Sequence, residues 1–102
     1  MKTDAILNLD PVIHAPIRLA VLSILITVEQ ADFNYLKEAT GTTDGNLSTH
    51  LSKLESSGLI RVKKGYRGKK PHTICSITAG GRKAFLAYLD QLGQIISREK
   101  NS

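Results

Sequence analysis

Within one short window, Asn46, Ser48, Thr49 and His50 carry donors and acceptors of the kind that pair with the edges of nucleobases. Shortly after them come Arg61, Lys63, Lys64, Arg67, Lys69 and Lys70, which are six of the chain's 14 basic residues. No Asp or Glu occurs anywhere in residues 56–89. A cation run without acidic neighbours suits a polyanion, although taken alone it describes a solvated surface equally well. Its weight comes from position, directly after a segment that offers base-edge chemistry.

Other chemistries find little support. His14, His50 and His72 fall on three different predicted elements, with no carboxylate cluster that would complete a metal site. Cys75 lacks a CxxC partner and falls on the inward face of a predicted strand, which reads as a small core residue rather than a redox sensor. Neither GYRG nor AGG is followed by the Lys-Ser/Thr of a phosphate-cradling loop. The expectation is therefore a non-enzyme without cofactor or metal, and no side chain points to an effector ligand.

The elements that position these groups can be read in turn. Residues 1–10 form a lead-in with apolar Ile6, Leu7 and Leu9. Pro16 suits the first turn of a helix, and IRLAVLSILITV continues it to about Val28. Ile17, Val21, Ile24, Leu25 and Val28 define one face, while Leu19, Leu22 and Ile26 populate others. A helix apolar nearly all round requires a second covering surface. QADF is a polar break with room for a residue or two of strand. A brief helix, NYLKEAT, follows, with Gly41 as its left-handed end.

Thr43 is the expected N-cap of the next helix, with Asp44 favourably placed in the first turn. Leu47, Leu51 and Leu54 face inward, leaving Asp44, Gly45, Asn46, Ser48, Thr49, His50 and Lys53 on the exposed side. Gly58 stops this helix. Residues 59–64 and 73–77 alternate as strands, with YRGKKPH between them as a flexible loop because Gly68 and Pro71 oppose regular structure. Thr78 caps a final helix over about residues 79–98, striped with Phe85, Tyr88, Leu89, Leu92, Ile95 and Ile96.

Gly41 followed by Leu47 and Leu51 fits a helix-turn-helix: the glycine permits the turn and the leucines anchor the second helix on the first. On its free side Gly45 allows close approach to a phosphate or base, and Asn46 has the geometry to read adenine. Ser48 and Thr49 suit bases or phosphates, and Lys53 suits a phosphate. In the basic hairpin, Arg67 at the tip suits a minor groove, while Lys63, Lys64, Lys69 and Lys70 suit flanking phosphates. Tyr66 either packs on a sugar or braces the hairpin.

The chain resembles the MarR/ArsR-like winged-helix transcriptional regulators of the short single-domain type. The resemblance runs from HAPIRLAVLSIL through DFNYLKEATGTTDGNLSTHLSKLESSGLI and VKKGYRGKKPHTICSIT to AGGRKAFLAYLDQL. It implies a mainly α (α+β) winged helix-turn-helix with a two-stranded wing and a long C-terminal dimerisation helix. By the same resemblance residues 44–53 are the recognition helix, residues 64–70 the wing, and the protein a homodimer on a palindromic operator in double-stranded DNA. Lys37 departs from the small residue usual four positions before the turn glycine, which implies a somewhat different helix crossing. The thiolate-rich helix of metal-sensing relatives is absent.

At 102 residues and a formal charge of +5 the chain reads as one domain spanning residues 1–102. The single cysteine, the lack of a signal-like N-terminus and an apolar run of roughly 12 residues, against the about 20 a bilayer demands, point to a cytoplasmic protein off the membrane. One winged-helix unit touches few base pairs, so specific affinity calls for two. Leu19, Leu22 and Ile26 of the first long helix and Leu92, Ile95 and Ile96 of the last are the expected pairing surface. The competing expectation is a winged-helix module whose basic hairpin grips an acidic protein. Structured RNA ranks lower, since its deep, narrow groove excludes a helix.

Overall fold

The computed structural model describes the backbone of residues 2–101 and the side chains of residues 5–97. In chain order the elements are α1 (Lys2–Leu7), α2 (Pro16–Val28), β1 (Gln30–Asp32), α3 (Phe33–Thr40), α4 (Asp44–Ser56), β2 (Ile60–Arg67), β3 (Lys70–Ile77) and α5 (Ala79–Asn101). The lead-in is thus partly helical, and Leu9 just beyond α1 is buried while Leu7 stays 76% exposed. α2 begins at Pro16 and ends at Val28 as its sequence dictates. Its burial is less complete than its composition suggests. Val21, Leu22 and Leu25 are in the core, Leu19 and Ile26 are half-buried, and Val28 is 48% exposed.

The local signals place the helix-turn-helix as read. Asp32 caps α3 by accepting from the Tyr35 N–H at 2.7 Å, and Gly41 ends that helix with φ of 70°. Thr43 caps α4 by accepting from the Asn46 N–H at 3.2 Å. Leu47, Leu51 and Leu54 then bury one face of α4 against a core shared with Leu36, Ile60 and Phe85. Thr78 caps α5 through the Gly81 N–H at 2.8 Å, and its hydroxyl also donates toward the carbonyl of Gly58. Gly81 is there for space: a Cβ would lie 1.9 Å from the Leu59 carbonyl oxygen.

The sheet is antiparallel with order β1-β3-β2, so β3 is central and β2 forms an edge. Here the expected flexible loop over residues 66–72 is replaced by regular structure. Pairing runs unbroken from Ile60↔Ile77 to Arg67↔Lys70, leaving Gly68 and Lys69 as a two-residue turn. Gly68 has φ of 67° at the first central position, the requirement of a type II′ turn. Pro71 fits because of register. In a two-residue hairpin the pair next to the closing one, Tyr66↔Pro71, directs its backbone nitrogens away from the partner strand. β1 reaches only as far as Ile74, so the missing N–H of Pro71 deprives no strand of a bond.

α5 reaches Asn101 and packs α1 on one flank. Phe85, Tyr88 and Ile95 are buried along its inward stripe, and the Tyr88 hydroxyl lies 2.7 Å from His14 Nδ1. Two residues expected at a pairing surface are therefore not there. Leu22 is wholly buried and Ile95 is 8% exposed, both within the chain's own core. Helical periodicity alone does not tell which of two adjacent apolar stripes meets the same chain. Of the remaining four, Leu19, Ile26 and Leu92 are half-buried and Ile96 is 56% exposed.

Candidate nucleic-acid interface

α4 lies with its buried leucines on the core and α2 on one side, and the β2–β3 hairpin rises on the other. Between α4 and the hairpin runs a cleft of about 440 Å³, with Ser48, Ser52 and Glu55 on the helical wall and Val62, Lys64 and Thr73 opposite. The Glu55 carboxylate accepts the Val62 N–H at 3.2 Å, occupying a backbone donor on the open edge of β2. That bond fixes the root of the hairpin to the last turns of the helix.

The expected base-reading residues divide among three sides of α4. Gly45 and Thr49, one turn apart, are exposed opposite the buried leucines, with no atom within 4 Å of the space a Gly45 side chain would fill. The Thr49 hydroxyl donates to the Gly45 carbonyl at 3.0 Å, leaving its methyl and lone pairs outward. Ser48 turns to the cleft, and Asn46 and Lys53 are exposed nearer α2. Asp44 is held by Lys37 at 2.8 Å, so the departure noted at Lys37 ties α3 to the first turn of α4 and offsets an anionic charge there.

His50 departs from the expectation of a free polar face. It is half-buried, and its Nδ1 lies 3.0 Å from an Arg18 guanidinium nitrogen on α2. Arginine only donates, so Nδ1 accepts and the ring's proton sits on Nε2. Arg18 also donates to the carbonyls of Val12 at 2.6 Å and Pro11 at 3.3 Å, locking the turn before α2 against α4. Arg18 has no sequence signal that marks it for this task. Ser52 does: it repeats the exposed face one turn beyond Ser48, and the periodicity that exposes Ser48 exposes it too.

Register sorts the cations of the hairpin by face, since residues directly opposite one another share a side of the sheet. Val62 pairs with buried Cys75, so Lys64 and Tyr66 project on the side of α4. Arg61, Lys63, Arg67 and Lys70 project on the other, with Lys69 in the turn. All six cations are exposed and Tyr66 is 77% exposed, which removes it from bracing the hairpin base. Among the described residues none of the six forms an ion pair, so their charge is uncommitted.

Two titratable groups near this surface are perturbed. The Asp32 carboxyl is held below the usual carboxylate range by the Tyr35 N–H, then by the His72 ring at 3.5 Å and the field of Arg67. Burial pushes the Cys75 thiol up to about 11, with Glu55 and Asp32 adding to the rise. A buried thiol that stays protonated is a packing group, as its place on the inward strand face requires. Among the described residues no group of His, Cys, Asp and Glu side chains is arranged to hold a metal ion.

A capped helix with a small polar face, set beside a cationic two-stranded hairpin, defines a winged-helix module for nucleic acid. A family model for a winged helix DNA-binding domain matches residues 17–96, and the chain belongs to that family. It is 39% identical over 84 residues to an uncharacterized protein of Methanocaldococcus jannaschii, covering 82% of this chain and 91% of that one. A transcriptional regulator homologue from Pyrococcus horikoshii superposes with a TM-score of 0.84 at 26% identity, over 94% of each chain. A MarR-family regulator from Enterococcus faecalis shares the fold with a TM-score of 0.72 at 20% identity, over 99% of this chain and 93% of that one. The resemblance to MarR-family regulators thus holds at the level of the fold, and the family match makes the chain a winged-helix DNA-binding domain.

Proposed function

We propose that the protein is a sequence-specific, cytoplasmic transcriptional regulator that binds a palindromic operator as a homodimer. In this reading α4 enters the major groove. Gly45 and Thr49 lie deepest, Asn46 and Ser48 contact base edges to either side, and Lys53 contacts a phosphate. Lys64 and Tyr66 follow the sugar–phosphate strand along the cleft. The turn, with Arg67 and Lys69, reaches toward the neighbouring minor groove, and Lys63 and Lys70 meet flanking phosphates. Thr43 and Asp44 act indirectly, one as cap and the other through its pair with Lys37.

The observation that carries this reading is the cleft. Across it a small polar helix face meets Lys64, on a hairpin that carries five further uncommitted cations and whose root is tied to the helix by the Glu55–Val62 bond. A hairpin gripping an acidic protein would need the cations but would not need Asn46 and Thr49 exposed beside them. Among the described residues no helix is long and apolar enough to cross a membrane.

The test is selection of bound duplexes from a random pool by the purified protein. Enrichment of an inverted repeat is expected, fixing specificity, symmetry and half-site spacing together. Salt-sensitive binding without enrichment would overturn the sequence-specific reading, and enrichment of single half-sites would remove the dimer.

A further inference from the structure

Helical spacing divides the polar residues of α4 into two flanks. Ser48, Ser52 and Glu55 face the hairpin across the cleft. Asn46, His50 and Lys53, at intervals of four and three, form a row on the other flank, toward α2. A helix lying in a major groove has a phosphate strand along each flank. The hairpin offers its cations to one strand, which leaves the row beside α2 to meet the other.

That flank is shaped by the turn before α2. The Asp10 carboxylate accepts the Val12 N–H at 2.9 Å, and the Asp10 carbonyl accepts the His14 N–H at 2.8 Å. The turn so formed leaves the carbonyls of Pro11 and Val12 facing Arg18, whose guanidinium donates to both and gives a third N–H to His50 Nδ1. Arg18 is half-buried and, among the described residues, forms no ion pair. A guanidinium has no lone pair to offer, so it admits one state of the neighbouring ring, with Nδ1 bare and Nε2 protonated. Among the described residues Nε2 has no partner, and no buried side-chain nitrogen or oxygen goes unpaired, so Nε2 reaches the surface.

We propose that Arg18 is a positioning residue for DNA binding: it holds His50 as the neutral Nε2–H tautomer, and that N–H donates to a phosphate oxygen of the DNA strand away from the hairpin. This role rests on the DNA-binding reading above and extends the grip to a residue outside the helix-turn-helix. A phosphate is the partner because a group that only donates needs an acceptor. His50 is also set back beside α2, at the border of the groove rather than its floor. The uncompensated charge of Arg18 behind the ring favours an anion there. Without Arg18 the ring is free to turn over or to carry its proton on Nδ1, and either change withdraws the donor.

The probe is the duplex recovered by the selection above or, if no sequence is enriched, a mixed-sequence duplex at low salt, since a phosphate contact needs no operator. Nitrogen NMR of the histidine-labelled free protein at about pH 8, where an ordinary imidazole is neutral, should show His50 with a bare Nδ1 and a protonated Nε2. Backbone amide spectra control for folding. His50→Asn keeps an acceptor for Arg18 but is too short to replace Nε2, and should weaken binding about tenfold. His50→Gln places an amide N–H near the Nε2 position and should stay within about threefold of wild type. Neither should change the salt slope, because a neutral donor releases no counterion.

Arg18→Lys keeps the charge, but its compact ammonium cannot span the three acceptors that the guanidinium fork reaches. It should cost about fivefold in the wild type and less than about twofold in the His50→Gln background, where the donor needs no tautomer. A proton on Nδ1, undiminished binding by His50→Asn, or a salt slope lowered by it would overturn the proposal and leave the DNA-binding reading standing. So would a cost of Arg18→Lys that persists in His50→Gln. The tautomer and the contrast of Asn with Gln decide the matter even where Arg18→Lys fails to fold. A wild type that binds neither duplex would overturn both.

Discussion

At the scale of single residues, the chain separates groups that hold the interface in place from groups that face outward. Thr43 and Cys75 were legible from sequence because each role is local: a cap is set by its neighbours, and an inward strand position by alternation. His50 was not, because its contact with Arg18 joins residues 32 apart in sequence. Arg67→Ala with Lys69→Ala should lower the slope of log affinity against log salt by about one unit for each lost phosphate contact. An unchanged slope would exclude the hairpin tip from the DNA. Asn46→Ala and Thr49→Val should instead shift the preferred sequence, read by repeating the duplex selection, with little change in slope.

Asp32 supplies a pH-dependent test at the same scale. Its folded-state pKa is depressed below the ordinary carboxylate value of about 3.9, so its contribution is fully present above that value. The contribution is lost as pH falls through the lower folded value. Asp32→Asn keeps a capping oxygen but removes the charge. It should flatten the acid limb of stability below about pH 4 in denaturant titrations. Asp32→Ala should in addition cost about 1 kcal/mol at neutral pH through loss of the α3 cap.

Among the elements, α2, α3 and α4 follow their sequence signals closely, and the hairpin does not. Gly68 and Pro71 were read as opposing regular structure, yet each occupies a hairpin position that tolerates it: a turn needing positive φ and a strand nitrogen facing no neighbour. Composition shows the residue types but not the register that makes them permissible. Glu29 offers a converse case, a non-glycine with φ of 70° at the end of α2, whose carbonyl accepts the Ile77 N–H at 3.2 Å. Glu29→Gly should raise stability by up to about 1 kcal/mol in chemical unfolding, by relieving that conformation. Gly81→Ala should lose at least about 2 kcal/mol, because the obstructing atom is a backbone carbonyl that cannot swing aside.

On the scale of the whole molecule, the general form of the winged helix was legible, because length, helix order and the basic run together admit few alternatives. Which apolar stripe of α5 the chain itself covers was not legible. Both apolar stripes of α5 obey helical spacing, and only the fold shows that Ile95 turns inward while Leu86, Leu89 and Ile96 do not.

The position of β2 has one further consequence. It is an eight-residue edge strand whose backbone is open beyond Val62, the kind of ribbon on which foreign strands add and fibrils or precipitates begin. Its lysines and arginines repel such additions while the hairpin is unoccupied. Charge-stripped hairpin variants should therefore lose solubility along with affinity, and the salt that loosens DNA should also encourage chains to stick to one another.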